Sequence, residues 1–168
     1  MKIILTALLL CTSLRAAEPI PNRLIDYAQF QKIARAVAPI REQRRVTAEQ
    51  FAAFMADGRT VVLDARSADK FALRHIRGAV SLPFTDFTAE TLAAVLPAKD
   101  TRVLIYCNNN FLGAPRSLAG KAAPASLNIS TYIALATYGY THIYELGPLL
   151  DVAKTTLPFA GSEVPGAD

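Results

Sequence analysis

Two runs of consecutive apolar residues, Val61-Val62-Leu63 and Val103-Leu104-Ile105-Tyr106, stand out along the chain. Their β-branched and aromatic content and their short length predict strands buried on both faces, over Thr60–Asp64 and Arg102–Tyr106. A short strand over Ala79–Leu82 and a last strand over His142–Leu146 follow from the same pattern. Helical spacing alternates with these runs. Leu24, Ile25, Tyr27, Phe30, Ile33, Ala34 and Val37 predict an amphipathic helix over residues 22–37, ended by Pro39. Thr47 and Gln50 have the spacing of a capping box, Phe51, Phe54 and Met55 form an apolar stripe, and Gly58 suits the C-terminal cap. Further helical segments are expected at Ala68–Arg74, Thr88–Leu96 and Ser126–Tyr138, with a short final helix over Leu149–Lys154. Strands alternating with short helices predict an α/β domain built on a parallel sheet covered on both faces.

The N-terminus reads differently. Lys2 precedes the apolar run from Ile3 to Leu10, and Ala16-Ala17 follow just before Glu18-Pro19. That order is expected of a signal peptide over residues 1–17. The run is too short for a span, which needs about 20 apolar residues. Removing 17 of the 168 residues leaves 151, enough for one sizeable core, and eliminates Cys11, Lys2 and Arg15. The formal charge then falls from +4 to +2, too mild a balance to indicate nucleic acid. The expected location is outside the cytoplasm, periplasmic or secreted, with no membrane contact after cleavage. Cys107 becomes the one cysteine left.

The stretch from Val61 to Pro83 carries Asp64-Ala65-Arg66 at a strand end, a short acidic-aromatic helix, and then His75-Ile76-Arg77-Gly78-Ala79 before Pro83. This ungapped pattern resembles the N-terminal half of a rhodanese-like domain, with Arg74 standing where that family usually has Gly. Downstream, the order strand, Cys107, loop, helix is similar, as is Tyr138-Gly139-Tyr140 leading to Ile143-Tyr144-Glu145-Leu146-Gly147. The resemblance covers roughly residues 45–157 and implies a parallel sheet of about five strands with helices on both faces, plus the extra N-terminal helix. The expected organisation is a signal peptide (1–17), a helical extension (18–44), the rhodanese-like domain (45–157) and a disordered tail (158–168). In such a domain Asp64, Arg66, His75 and Gly78 are structural: the carboxylate and guanidinium pair, the imidazole bonds backbone around its turn, and the glycine takes a conformation closed to other residues. His142 has no partner at ligand spacing, so the two histidines and Cys107 do not assemble a zinc-ligand set.

Cys107 ends an apolar strand, and ligands of open α/β sheets bind beyond strand carboxyl ends. The resemblance implies that Cys107 is a sulfur-accepting nucleophile, which takes sulfane sulfur from a thiosulfate- or persulfide-type donor and passes it to a thiol or cyanide-like acceptor. A protein thiol is one acceptor of this kind. Such covalent catalysis needs no cofactor and no metal, only a thiolate stabilised by loop amides and a helix N-terminus.

The loop departs from the compact form usual in that family. Five positions after Cys107 stands Leu112, and no helix signal begins before Ser126. Phe111 and the Gly/Pro-punctuated segment after it read as an insertion without secondary structure, functional or mobile. Asn108-Asn109-Asn110 suit a tight anion-cradling turn, because Asn tolerates left-handed backbone and carries amide donors; they equally suit an ordinary turn. Arg116 and Lys121 are candidate anion contacts. Phosphatase chemistry, which wants Arg six positions after the cysteine, meets Gly113 there. Asn128-Ile129-Ser130 matches a glycosylation acceptor but lies at a helix start.

Three readings follow: an exported sulfurtransferase using Cys107, an inactive rhodanese-fold binding module, and a thiol redox or persulfide sensor. An exposed Cys107 ringed by amides favours the first, and exposed Phe111 and Leu112 around a buried thiol favour the second. All three place Asp64 and Cys107 at the carboxyl edge of a parallel sheet.

Overall fold

The apolar runs form the centre of the sheet. In the computed structural model, which describes residues 20–166, β2 (Thr60–Asp64) and β5 (Arg102–Tyr106) pair in parallel along their whole length. Three shorter strands complete the sheet: β1 (Arg45–Val46), β4 (Val80–Ser81) and β7 (Ile143–Leu146). The order is β1-β7-β5-β2-β4, all parallel. Asp64 lies opposite Tyr106, so Asp64 and Cys107 both reach the carboxyl edge. The predicted signal peptide lies outside the described residues. Among the described residues, no helix is long and apolar enough to cross a membrane.

Alternation along β5 divides the core. Leu104 and Tyr106 join Phe51, Ile76, Phe111, Leu118 and Phe159 on one face, whereas Val103 and Ile105 join Leu92, Tyr132, Leu135 and Ile143 on the other. Full burial of each such aliphatic side chain stabilises by about 1.5–3 kcal/mol, which is why these runs take the middle strands. Helix α2 (Ala48–Met55) begins at the Thr47–Gln50 capping box and packs on the first face. Helix α3 (Ala68–Leu73) follows β2. Helices α4 (Ala89–Val95) and α5 (Leu127–Thr137) cover the second face.

The N-terminal helix α1 spans Tyr27–Gln43 and runs through Pro39 instead of stopping at it. The hydrogen bond that proline removes lies on the exposed side, and tertiary contacts hold the last turn. Arg41 bonds Glu145 at 2.6 Å and Arg44 donates to the Thr141 carbonyl.

Two further expectations give way to long-range pairing. Residues 149–154 form no helix; Leu150–Asp151 is a strand, β8, parallel to β6 (Phe111–Leu112). The Asn110 side-chain amide donates to the carbonyls of Leu146 and Pro148, which fixes the chain direction before a helix can start. The segment expected to be a disordered tail is ordered through the last described residue, 166. Its strand β9 (Phe159–Ala160) pairs antiparallel with β3 (His75–Ile76), burying Leu157 and Phe159. The amides of Ser162 and Glu163 donate to the carbonyls of Ala72 and Leu73, serving the open end of α3. Phe159, 8% exposed, carries enough apolar area to anchor it.

This strap approaches α3 so closely that only glycine fits at position 161. Its φ is +116°, and a Cβ there would lie 2.6 Å from the Leu73 carbonyl oxygen. Gly161→Ala is therefore expected to cost about 3 kcal/mol. Gly58→Ala, also at positive φ but facing open space, should cost about 1 kcal/mol. Denaturant midpoints measure both, and equal losses would contradict the close contact.

Candidate active site

The carboxyl edge is organised by a buried ion pair. Asp64 is fully buried and Arg66 is 3% exposed. Arg66 Nε donates to Asp64 Oδ1 at 2.9 Å and Nη2 to Oδ2 at 2.5 Å. Nη1 also donates to the carbonyl of Ser117 at 2.9 Å, and Nη2 to that of Arg74 at 2.8 Å. Tyr106 Oη donates to Asp64 Oδ2 at 2.5 Å and accepts from the Ile76 amide. Burial, joined by the neighbouring Asp64 carboxylate, holds the Tyr106 hydroxyl well above the usual tyrosine range. Burial pulls the Arg66 guanidinium down, but the hydrogen bonds and charge of Asp64 outweigh it and the net shift is upward. His75 stacks on Phe71 at 3.8 Å and its Nδ1 lies 2.8 Å from the Phe71 carbonyl oxygen, turned into the backbone. Gly78 adopts φ +84° in the next turn.

Cys107 leaves β5 in extended conformation and is unpaired and buried, 1% exposed. Its amide donates to Asn110 Oδ1 at 2.9 Å, and the Asn110 amide points back at Sγ. Ser126, the N-cap residue of α5, makes no side-chain cap; its hydroxyl lies 3.4 Å from Cys107 Sγ. The sulfur therefore meets a hydroxyl, an amide and the N-terminal end of an eleven-residue helix.

The three asparagines brace the segment that follows the thiol. They form a 3-10 turn, and no residue other than glycine has positive φ among the described residues, so no left-handed Asn cradle forms. Asn108 Nδ2 donates to the Ala119 carbonyl, and Asn109 exchanges two hydrogen bonds with the backbone of Lys121. Asn110 Oδ1 also accepts from Asn128 Nδ2. The insertion, expected to lack secondary structure, contains β6 and a 3-10 turn over Ala123–Ala125, and it buries Phe111, Ala114, Ser117 and Leu118. It is a packed cover. Apolar anchors at intervals hold it down despite its Gly/Pro content.

Between the end of β2 and the far end of the cover opens a cleft of about 690 Å³, bordered by Arg66, Lys70, Phe84, Asp86, Asn108 and Lys121. Lys121 thus faces this cleft. Arg116 does not: it pairs with Glu163 of the strap at 3.3 Å, beside a separate hollow lined by Arg74 and Ser162. Asn128 is 2% exposed and bonded to Asn110, which closes it to glycosylation.

A family model described as Rhodanese-like domain matches residues 47–146, the span that contains both strand ends and Cys107. The chain belongs to the rhodanese-like domain family. No curated protein matches it. Among solved structures, the rhodanese-like domain of the Alr3790 protein from Anabaena sp. is similar in solution, with 19% identity and a TM-score of 0.52 over 74% of this chain and 87% of that one. A crystal structure of the Alr3790 protein is similar at 20% identity and TM-score 0.50, over 71% of this chain and 94% of that one. The human single domain sulfurtransferase TSTD1 aligns at 17% identity and TM-score 0.46, over 64% and 91%. The two Anabaena likenesses bear on the fold alone.

Within this rhodanese-like domain, Ser126 and Tyr106 matter more than the residue pattern conveyed. Ser126 was legible only as a helix start. In a parallel α/β sheet a helix N-terminus returns to the strand carboxyl edge, so a hydroxyl there can meet a cysteine at the preceding strand end.

Breaking the ion pair leaves a buried unpaired charge, so Arg66→Met is expected to destabilise by about 3–5 kcal/mol. The raised Tyr106 also has a pH consequence. Below about pH 10 the tyrosine is neutral folded and unfolded; above it the unfolded form ionises first and stability falls with rising pH. Tyr106→Phe should be less stable at pH 7 by about 1–2 kcal/mol yet decline less steeply above pH 10. Urea unfolding across pH 7–11 measures this, and an unchanged alkaline slope would remove Tyr106 as the cause.

Proposed function

We propose that this domain is a sulfurtransferase that carries sulfane sulfur as a persulfide on Cys107. Its supporting observation is the placement of that thiol: it ends the central strand of the sheet, 3.4 Å from the Ser126 hydroxyl and against the N-terminus of α5. The Cys107 thiolate attacks the outer sulfur of a thiosulfate-type donor. A bond forms from Sγ to that sulfur, and the sulfur–sulfur bond of the donor breaks with its electron pair leaving as sulfite. An acceptor thiolate then attacks the outer persulfide sulfur and regenerates the Cys107 thiolate. No external oxidant is consumed. Lys121 at the cleft border supplies positive charge for an anionic donor.

The reading includes an enlarged active-site loop and an exported single-domain form, with residues 1–17 as leader and a periplasmic or secreted location. With Cys107 1% exposed, turnover requires the segment around 113–120 to lift, hinging at Gly113, which has φ +89°, and at Gly120. A small sulfur anion and a protein or low-molecular-weight thiol are the partners.

Burial of Cys107 beside an exposed Leu112 (56%) meets part of the pattern expected of a binding module without turnover, whereas Phe111, expected to be exposed in that reading, is buried. Intact mass after thiosulfate or persulfide treatment separates the two. The sulfurtransferase gains one sulfur atom, discharged by cyanide, and Cys107→Ser gains none. Ser126→Ala should form the persulfide about tenfold more slowly, the loss of roughly one hydrogen bond to the sulfur. An unmodified Cys107 with both donors rejects sulfur transfer. N-terminal sequencing of exported protein should begin at Glu18; a start at Met1 would remove the leader.

A further inference from the structure

The apolar stripe of α1 overruns the surface that α1 packs on. Phe30, Ile33, Val37 and Arg41 share one helical face. Ile33 and Val37 are partly covered by the body, whereas Phe30 is 49% and Tyr27 69% exposed. Just before the helix, Leu24 and Ile25 are 86% and 73% exposed. The Tyr27 and Phe30 rings stack on each other at 6.3 Å.

This overhang has a direction. Arg44 bonds Thr141, ahead of β7, while Arg41 reaches Glu145 inside β7. Going back along α1 therefore means going forward along the strand. A helix of seventeen residues is about 25 Å long, against about 17 Å for a five-residue strand, so its first turns pass beyond the carboxyl edge where Cys107 lies.

Charge is distributed along the same axis. Residues 20–45 hold six basic and two acidic side chains, and residues 46–166 hold ten of each. The whole positive excess of the described chain thus lies on this segment. Arg23, Lys32 and Arg35 enter no ion pair among the described residues.

We propose that residues 20–35 lie on an anionic lipid surface. Leu24, Ile25, Tyr27 and Phe30 enter the headgroup boundary, and Arg23, Lys32 and Arg35 meet lipid phosphates. Uncovered aliphatic and aromatic side chains flanked by unpaired cations match an interfacial element, and aromatic rings are suited to that depth. The charge argues against a second copy as occupant, because self-association would bring two positively charged ends together. Seated this way, the overhang turns the Cys107 edge of the sheet towards the bilayer. This departs from the expectation of no membrane contact after residue 17, which rested on the short leader run alone. It does not depend on whether Cys107 carries sulfur.

The test is peptide-resolved hydrogen exchange of the full chain, with phosphatidylcholine vesicles and with vesicles that also contain phosphatidylglycerol. Amides of residues 20–35 are expected to gain protection with anionic vesicles and none with neutral ones. The variant Leu24→Ser/Ile25→Ser/Phe30→Ser should lose that protection, with exchange of β5 amides unchanged as the check on folding. Arg23→Gln/Lys32→Gln/Arg35→Gln should weaken vesicle partitioning severalfold for each charge removed, at roughly fivefold each. Protection confined to residues before 20 would assign binding to the leader and overturn the proposal. Equal protection by neutral vesicles, or protection that grows with protein concentration without lipid, would overturn it too.

Discussion

The carboxylate of Asp64, shut off from water at the end of β2, is the constraint from which the rest of the carboxyl edge follows. Taking an ion pair out of water costs several kcal/mol per ion, and the attraction repays this only when further hydrogen bonds complete both partners. Here they do. Asp64 accepts from the backbone and side chain of Arg66 and from Tyr106, and Arg66 also donates to the carbonyls of Ser117 and Arg74. Four separate stretches of chain are thereby needed to satisfy one buried charge pair.

That requirement couples the pair to the cover over Cys107. Ser117 belongs to the insertion, so lifting the insertion would strip one acceptor from a buried guanidinium. The same insertion is tied to α3 through the Lys70 ammonium and the Arg116 carbonyl, and to the strap through Arg116 and Glu163. Arg74 joins the strap from the other side, donating to the Glu163 carbonyl while its guanidinium lies 5.4 Å from the Phe159 ring centre. Arg74 thus anchors a C-terminal strap, and the strap helps to hold down the loop. The insertion, α3 and the strap are tied to one another around the buried thiol.

The sulfur itself sits where two fold-level rules meet. A buried parallel strand delivers Cys107 to the carboxyl edge, and the crossover returns the N-terminus of α5 to that edge, bringing Ser126 within reach. The asparagines between them are occupied with backbone and with one another, so the surroundings of Sγ come from the helix end and the Asn110 amide more than from a ring of loop amides.

Sequence alone determined the parts that depend on local pattern and long apolar runs. These were the strands at 60–64 and 102–106, the capped helices after Thr47 and Thr88, the parallel α/β class, and the edge on which Asp64 and Cys107 lie. Such features are legible because burial on both faces leaves an unbroken apolar run and because caps satisfy amides within a few residues. Tertiary structure decided the rest. Helix α1 continues through Pro39 because Glu145 and Thr141 hold its last turn. Residues 150–151 are strand because Phe111–Leu112 lie alongside. The tail is ordered because His75–Ile76 offer it an edge. The asparagines brace a cover because backbone groups more than ten residues away come within hydrogen-bond reach of their amides. In each case the deciding partner is remote in sequence, and a hydrogen bond to a remote partner leaves no periodicity in the chain.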